Sequence, residues 1–200
     1  MENNKQEKPA LLVIDMVKDN FRHDKPLPIT PFAKAMIPRI NQLSGAFREK
    51  GCPVVFATDA FSKDDFIFKG SMKPHSLAGT EGAEVVDELD RDERDLWLPK
   101  PRFSAFFRTD LADWLHQRGV TLCAVSGIAT NFCVLTTVMD ALCHDFKAVL
   151  IEDCTAAMSK VVHEQILACY RHNPLYPLFR ILPAKALMEG LFQDTGCSSD

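Results

Sequence analysis

Thr121-Leu122-Cys123-Ala124-Val125-Ser126-Gly127-Ile128-Ala129-Thr130-Asn131-Phe132-Cys133-Val134 passes from an apolar run into a helical pattern. The run Thr121 to Val125 predicts a buried strand. Beyond it, Val134, Val138, Ala141 and Leu142 recur at helical spacing. Cys133 is therefore expected where a strand turns into a helix. There the first helical amides point at the thiol, and the positive end of the helix dipole favours the thiolate. The same amides suit a developing oxyanion. A small buried core cysteine fits the stretch as well, since free cysteine is among the most buried residue types.

Outward from this stretch, apolar runs and helical patterns alternate. Ala10-Leu11-Leu12-Val13-Ile14-Asp15 and Val54-Val55-Phe56-Ala57-Thr58-Asp59 are continuous apolar runs, each closed by an aspartate. Runs of this kind suit strands buried on both faces of a parallel sheet. Asp95 to Leu98, Ala148 to Asp153 and Leu178 to Leu182 supply three further strands. Helices are predicted from Pro31 to Gly51, capped by Thr30, with Pro38 as a kink or delay. Others follow Thr109, extend from Val134, span Val161 to Tyr170, and close the chain from Pro183 to Phe192. A short helix is expected from Ala83 to Leu89. The fold class is thus α/β: three layers around a mostly parallel six-stranded sheet, in the order 3-2-1-4-5-6. The polar stretch 1–9 reads as a loose tail, and 10–200 as one domain.

At 200 residues, with 46% hydrophobic and 25% charged residues, the chain suits one substantial core. A net charge of -4 gives no support to a nucleic-acid surface. No run is long enough to span a membrane, and Met1 to Pro9 lack a signal-peptide core, so a cytoplasmic location is expected. The seven cysteines are scattered, without a C-x-x-C, which argues against disulfides or a zinc module. No G-x-G-x-x-G or G-x-x-x-x-G-K occurs, and no cofactor is expected.

In an open α/β sheet, ligands bind beyond the carboxyl ends of the strands. Asp15 and Cys133 fall on that edge, and Lys100, after the third strand, is within reach of it. Taken singly, Asp15 also suits a strand-end cap, and Lys100 a solvated lysine between prolines. Together they offer a carboxylate to move a proton, an ammonium to hold charge and a thiol to attack.

Three segments resemble the isochorismatase-like cysteine hydrolases, a family that includes nicotinamidase and N-carbamoylsarcosine amidase. They are Leu12-Val13-Ile14-Asp15-Met16, Lys100-Pro101-Arg102-Phe103-Ser104-Ala105-Phe106 continuing to Thr109-Asp110-Leu111, and Gly127-Ile128-Ala129-Thr130-Asn131-Phe132-Cys133-Val134. The resemblance implies a triad of Asp15, Lys100 and Cys133, and a cis peptide between Ile128 and Ala129. It implies an oxyanion site at the amides of Ala129 and Cys133. It also implies a hydrolase of small amide or carbamoyl compounds, assembled as a homo-oligomer. A non-catalytic binding or regulatory protein of the same fold is the alternative. Phe21, Phe61, Phe66 and Phe132 are candidate pocket residues. Nicotinamidases carry a metal on an Asp-x-His pair and a later histidine. Here Asp59 and His75 match two of those ligands, but Phe61 replaces the middle histidine. Two ligands are too few for a tight site, so no metal is expected unless Asp64 or Asp65 swings in. Asp59 and His75 are instead expected to pair with each other and order the loop.

Overall fold

The computed structural model describes residues 7–22, 24 and 26–192. Six parallel strands form one sheet in the order β3-β2-β1-β4-β5-β6: β1 (Pro9–Ile14), β2 (Val54–Asp59), β3 (Leu96–Lys100), β4 (Leu122–Ile128), β5 (Lys147–Ala156) and β6 (Phe179–Leu182). This is the order expected from the sequence. Every residue of β1, β2 and β4 is buried, which is why these strands read as unbroken apolar runs. The edge strand β3 alternates instead.

Side-chain alternation divides β1 between two cores. Leu11 and Val13 face one layer, with Ile40, Leu43 and Phe47 of α1 (Thr30–Glu49) and Leu187 of α5 (Ala184–Phe192). Ala10, Leu12 and Ile14 face the other. There they meet Leu111 and Leu115 of α2 (Leu111–Gln117), Val138 and Ala141 of α3 (Leu135–Cys143), and Leu167 of α4 (Lys160–Arg171). Phe47 and Phe192 meet edge to face at 5.2 Å, tying α1 to α5.

Several local expectations change. Glu7 is bonded to Lys147 and Arg180, Lys8 receives the Thr121 and Leu122 amides, and Pro9 opens β1. Residues 7–9 therefore belong to the fold rather than to a tail; residues 1–6 lie outside the described residues, as does Cys197. Thr30 is the first residue of α1, not its cap. Its hydroxyl donates to Asn20 O at 2.7 Å and ties down the preceding loop. Pro38 lies inside α1 without ending it, because it sits on the exposed face where water can satisfy the carbonyl it leaves unbonded. The helix expected over Ala83 to Leu89 is absent. Only Glu81–Ala83 makes a 3-10 turn, and the following residues are drawn off by long-range pairing of Val17 with Val85 and of the Val86 amide with Met16 O. β5 runs beyond Asp153 to Ala156 through an irregularity: Val125 pairs with Leu150, but Gly127 pairs with Thr155.

Gly127 lies beside the end of β1 at φ +100°, and a Cβ there would sit 2.0 Å from Ile14 O. No side chain can yield, because the opposing atoms are backbone. Gly127→Ala is therefore expected to destabilise the fold by more than the ~1 kcal/mol of a φ mismatch alone. A lowered urea midpoint would register it; an unchanged midpoint would mean that β1 and β4 can part at no cost.

Candidate active site

Four strands deliver four titratable side chains to one edge of the sheet. Asp15 follows β1, Asp59 ends β2, Lys100 ends β3, and Cys133 follows β4. All are nearly inaccessible, with exposures of 3% for Asp15, 8% for Asp59, 0% for Lys100 and 7% for Cys133. Lys100 reaches the group because β3 continues two residues past Leu98, carrying Pro99 and Lys100 alongside Thr58 and Asp59.

Buried charges persist only when paired and hydrogen-bonded. An ammonium has three hydrogens, and Lys100 places them on Asp15 Oδ2 at 2.9 Å, on Asp59 Oδ1 in a short contact, and on Arg102 O at 3.1 Å. Burial opposes the Lys100 charge, but the facing Asp15 and Asp59 carboxylates hold the ammonium above the usual lysine range. Burial, reinforced by the charge of Asp15, pushes the Asp59 carboxyl up to about 7. Asp15 is held on every side. Its amide donates to Ala57 O, its carbonyl accepts from Asn20, and Oδ1 accepts the Asp59 amide at 2.7 Å. Its backbone lies at φ 51°, a left-handed conformation that aspartate tolerates better than most residues.

Cys133 lies in a five-residue π turn, Thr130–Val134, that leads into α3. The Ile128–Ala129 peptide before it is cis. Ligand-capable atoms of Asp15, Asp59 and Cys133 all lie within 4.8 Å of one another. The expectation of a resting thiolate does not hold. Burial first, then the Asp15 carboxylate, raise the Cys133 thiol well above its ordinary value, and its hydrogen bond to Asp15 holds the proton on sulfur. Lys100 acts in the opposite sense and is outweighed. The dipole argument from sequence fails because it took no account of desolvation or of a carboxylate beside the sulfur.

The sequence offered no sign of His163. Its Nδ1 lies 2.9 Å from Oγ1 of fully buried Thr130, fastening the π turn to α4. Burial holds this imidazole below its usual range. A lone histidine on an amphipathic helix carries no mark of such a contact.

A cavity of about 150 Å³ opens onto this group. Phe61 and Phe132 line it, as expected; Asn20, Leu27, Ile29, Met72, Phe103 and Met158, which the sequence did not single out, line it too. Two pocket candidates do not. Phe21 turns into the α1 core, and Phe66 is 72% exposed.

The expected pairing of Asp59 with His75 is also replaced. Asp59 is bonded to Lys100, while the His75 Nδ1–H donates to Lys73 O at 2.9 Å. The His75 ring lies against Phe61 and Phe68, at 5.6 and 5.8 Å between centroids. Asp65 accepts from Arg102 at 2.8 Å and from the Ile67 amide, so it is not free to move in. Asp59, His75 and Phe61 do not make a three-ligand set. The place of a third ligand is taken by a buried phenyl ring, and the Lys100 ammonium already occupies the space between the two carboxylates.

Residues 9–175 match the model of the isochorismatase domain. An Arabidopsis thaliana protein described as a probable inactive nicotinamidase is 35% identical over 164 residues, which are 77% of this chain and 83% of that protein. The N-carbamoylsarcosine amidase of Thermoplasma acidophilum superposes with a TM-score of 0.75 at 28% identity, covering 88% of this chain and 96% of its own. The pyrazinamidase of Pyrococcus horikoshii, solved in complex with zinc, gives 0.77 at 29% identity, covering 88% and 99%.

Proposed function

Since this chain belongs to the isochorismatase family, we propose that it hydrolyses a small amide or carbamoyl compound through a thioester on Cys133. The observation that carries this reading is the single buried cluster of Asp15, Lys100 and Cys133 at the floor of a cavity.

The thiol proton passes to Asp15 as sulfur bonds to the carbonyl carbon. The oxyanion forms against the amides of Ala129 and Cys133. Asp15 returns its proton to the departing nitrogen as the C–N bond breaks, releasing an amine or ammonia. Asp15 then takes a proton from water as the hydroxide attacks the thioester, and returns it to the departing sulfur as the C–S bond breaks, leaving a carboxylic acid that ionises on release. Lys100 holds the Asp15 carboxyl in position through its 2.9 Å bond to Oδ2. The resting thiol suits this sequence, because the base that must take its proton already accepts its hydrogen bond.

A screen of small amides for ammonia release tests the proposal. The name of the Arabidopsis thaliana relative lends weight to the second reading, a binding protein without turnover. Saturable binding of an amide with no ammonia released would decide for that reading.

The cluster also suits chemistry without a metal. The purified protein is expected to carry less than one metal per chain, and dialysis against EDTA to leave activity unchanged. Stoichiometric zinc, iron or manganese, with activity lost on chelation and restored by that metal, would overturn this.

A further inference from the structure

Cys133 is the fourth residue of the π turn Thr130–Val134, a backbone form that rarely extends beyond a single turn. Within it, Ala129 O accepts the amides of Phe132 and Val134 at 3.0 and 3.2 Å. Hydrogen bonds from Asn131 and Phe132 do not steady the turn: Asn131 Oδ1 is buried without a partner among the described residues, and the Phe132 ring is exposed. Thr130 does steady it. Its side chain is fully buried, and its Oγ1 lies 2.9 Å from Nδ1 of His163, a residue 33 positions away in sequence. Helix α4 presents that ring from a fixed place. Ser159 caps the helix by accepting the Val162 amide at 3.3 Å. Leu167, one turn beyond His163 on the same face, is buried with Val138 and Phe179. Tyr170 lies against Phe179 at 5.6 Å. Burial holds the His163 imidazole below its usual range, so the ring is neutral at pH 8. A neutral ring has one donor and one acceptor nitrogen, and a hydroxyl both donates and accepts, so the contact with Thr130 forms in either tautomer.

We propose that His163 is a positioning residue for the nucleophile: through Thr130 it fixes the π turn, so that the Cys133 sulfur stays against Asp15 and the Ala129 amide stays aimed at the oxyanion. The consequence for turnover rests on the hydrolase reading of the site; the consequence for the sulfur does not. Ala129 and Cys133 line the cavity, whereas Thr130 between them and His163 behind it do not. A change at His163 therefore alters the reacting groups without altering the walls that meet a substrate. Without the contact, the buried start of the turn loses its tie to α4, and a misplacement on the order of 1 Å at a reacting atom can cost ~10²-fold in rate. The loss then falls on kcat and spares KM.

The test reads the turn with and without a substrate. His163→Leu keeps the bulk of the ring and removes both nitrogens, while His163→Asn keeps a polar atom at the place of Nδ1. Iodoacetamide labelling at pH 8, followed by mass spectrometry, needs no substrate. In His163→Leu, Cys133 is expected to be alkylated at least ~10-fold faster than in the unaltered protein, as the sulfur loses its burial and its bond to Asp15. Cys123 and Cys154, buried in β4 and β5, are expected to keep their rates. Acceleration of all three would show a general loosening of the fold and overturn the proposal, and so would an unchanged Cys133. His163→Asn is expected to restore the slow rate; labelling as fast as in His163→Leu would count against the Thr130 contact as the cause. Thr130→Val is expected to reproduce His163→Leu, and the double variant to go no further, since the two residues act as a unit. Additive effects would show that they act separately. Turnover is measured with whichever amide releases ammonia fastest in the screen. There, His163→Leu is expected to lower kcat at least ~10-fold with KM changed less than ~3-fold; a raised KM with kcat unchanged would contradict the positioning role. If no amide releases ammonia, the hydrolase reading falls, and the labelling alone decides whether His163 holds the turn.

Discussion

Cys133→Ala is expected to abolish amide hydrolysis with no change in far-ultraviolet circular dichroism. The substitution removes one sulfur atom from a buried position and leaves the backbone of the π turn and its tie to α4 in place. No other described cysteine shares the acidic cluster: Cys123 and Cys154 are buried with thiols raised by burial, Cys52 is half-buried, and Cys143 and Cys169 are exposed. Nothing nearby can therefore take over the attack. Retention of more than a few per cent of the activity would exclude covalent catalysis at Cys133. Asp15→Asn, which removes the proposed base and keeps the shape, is expected to cost at least the ~10²-fold typical of a lost general acid-base group. Alkylation gives an independent check. Because Cys133 rests as a buried thiol, iodoacetamide is expected to label exposed Cys143 and Cys169 first. Rapid labelling of Cys133 ahead of them would show a resting thiolate and reverse the assigned order of proton transfer.

Lys100→Met is expected to be the most damaging substitution for stability. It removes the cation shared by two buried carboxyls, and breaking a buried ion pair by deleting one partner costs about 3–5 kcal/mol. The deficit should depend on pH in a defined direction. Asp59 already titrates at about 7 with Lys100 present, against 3.8 ordinarily, and loss of the ammonium drives it higher. The folded variant then holds more protons than its unfolded chain from about 4 up to that raised value, so its stability falls as pH rises through the window. The gap from the parent protein should be smaller at pH 5 than at pH 8, read as the difference in urea midpoints. A variant as stable as its parent at pH 8 would show that the two carboxyls do not depend on Lys100. A gap that widened on acidification would contradict the raised Asp59.

Local chemistry and side-chain periodicity were enough to read the frame. Runs such as Leu11 to Ile14 and Leu122 to Val125 are apolar on both alternations, which only a strand covered on both faces requires; with helical patterns between them, they imply a parallel sheet and its open edge. The positions of Asp15 and Cys133 on that edge follow from the same reading, since each closes or follows such a run. What depends on contacts across the sheet was beyond it. Asp59 was taken for a metal-ligand remnant, although it closes β2 as Asp15 closes β1, because its partner Lys100 lies 41 residues away and meets it only when β2 and β3 pair. Phe21 and Phe66 have the composition of pocket residues, yet one enters the core and the other faces solvent, and no local pattern separates them from Phe61 and Phe132. The protonation of Cys133 was misread for the same reason. A helix start favours a thiolate through the local backbone, whereas desolvation and a neighbouring carboxylate come from four strands converging, and these outweigh it.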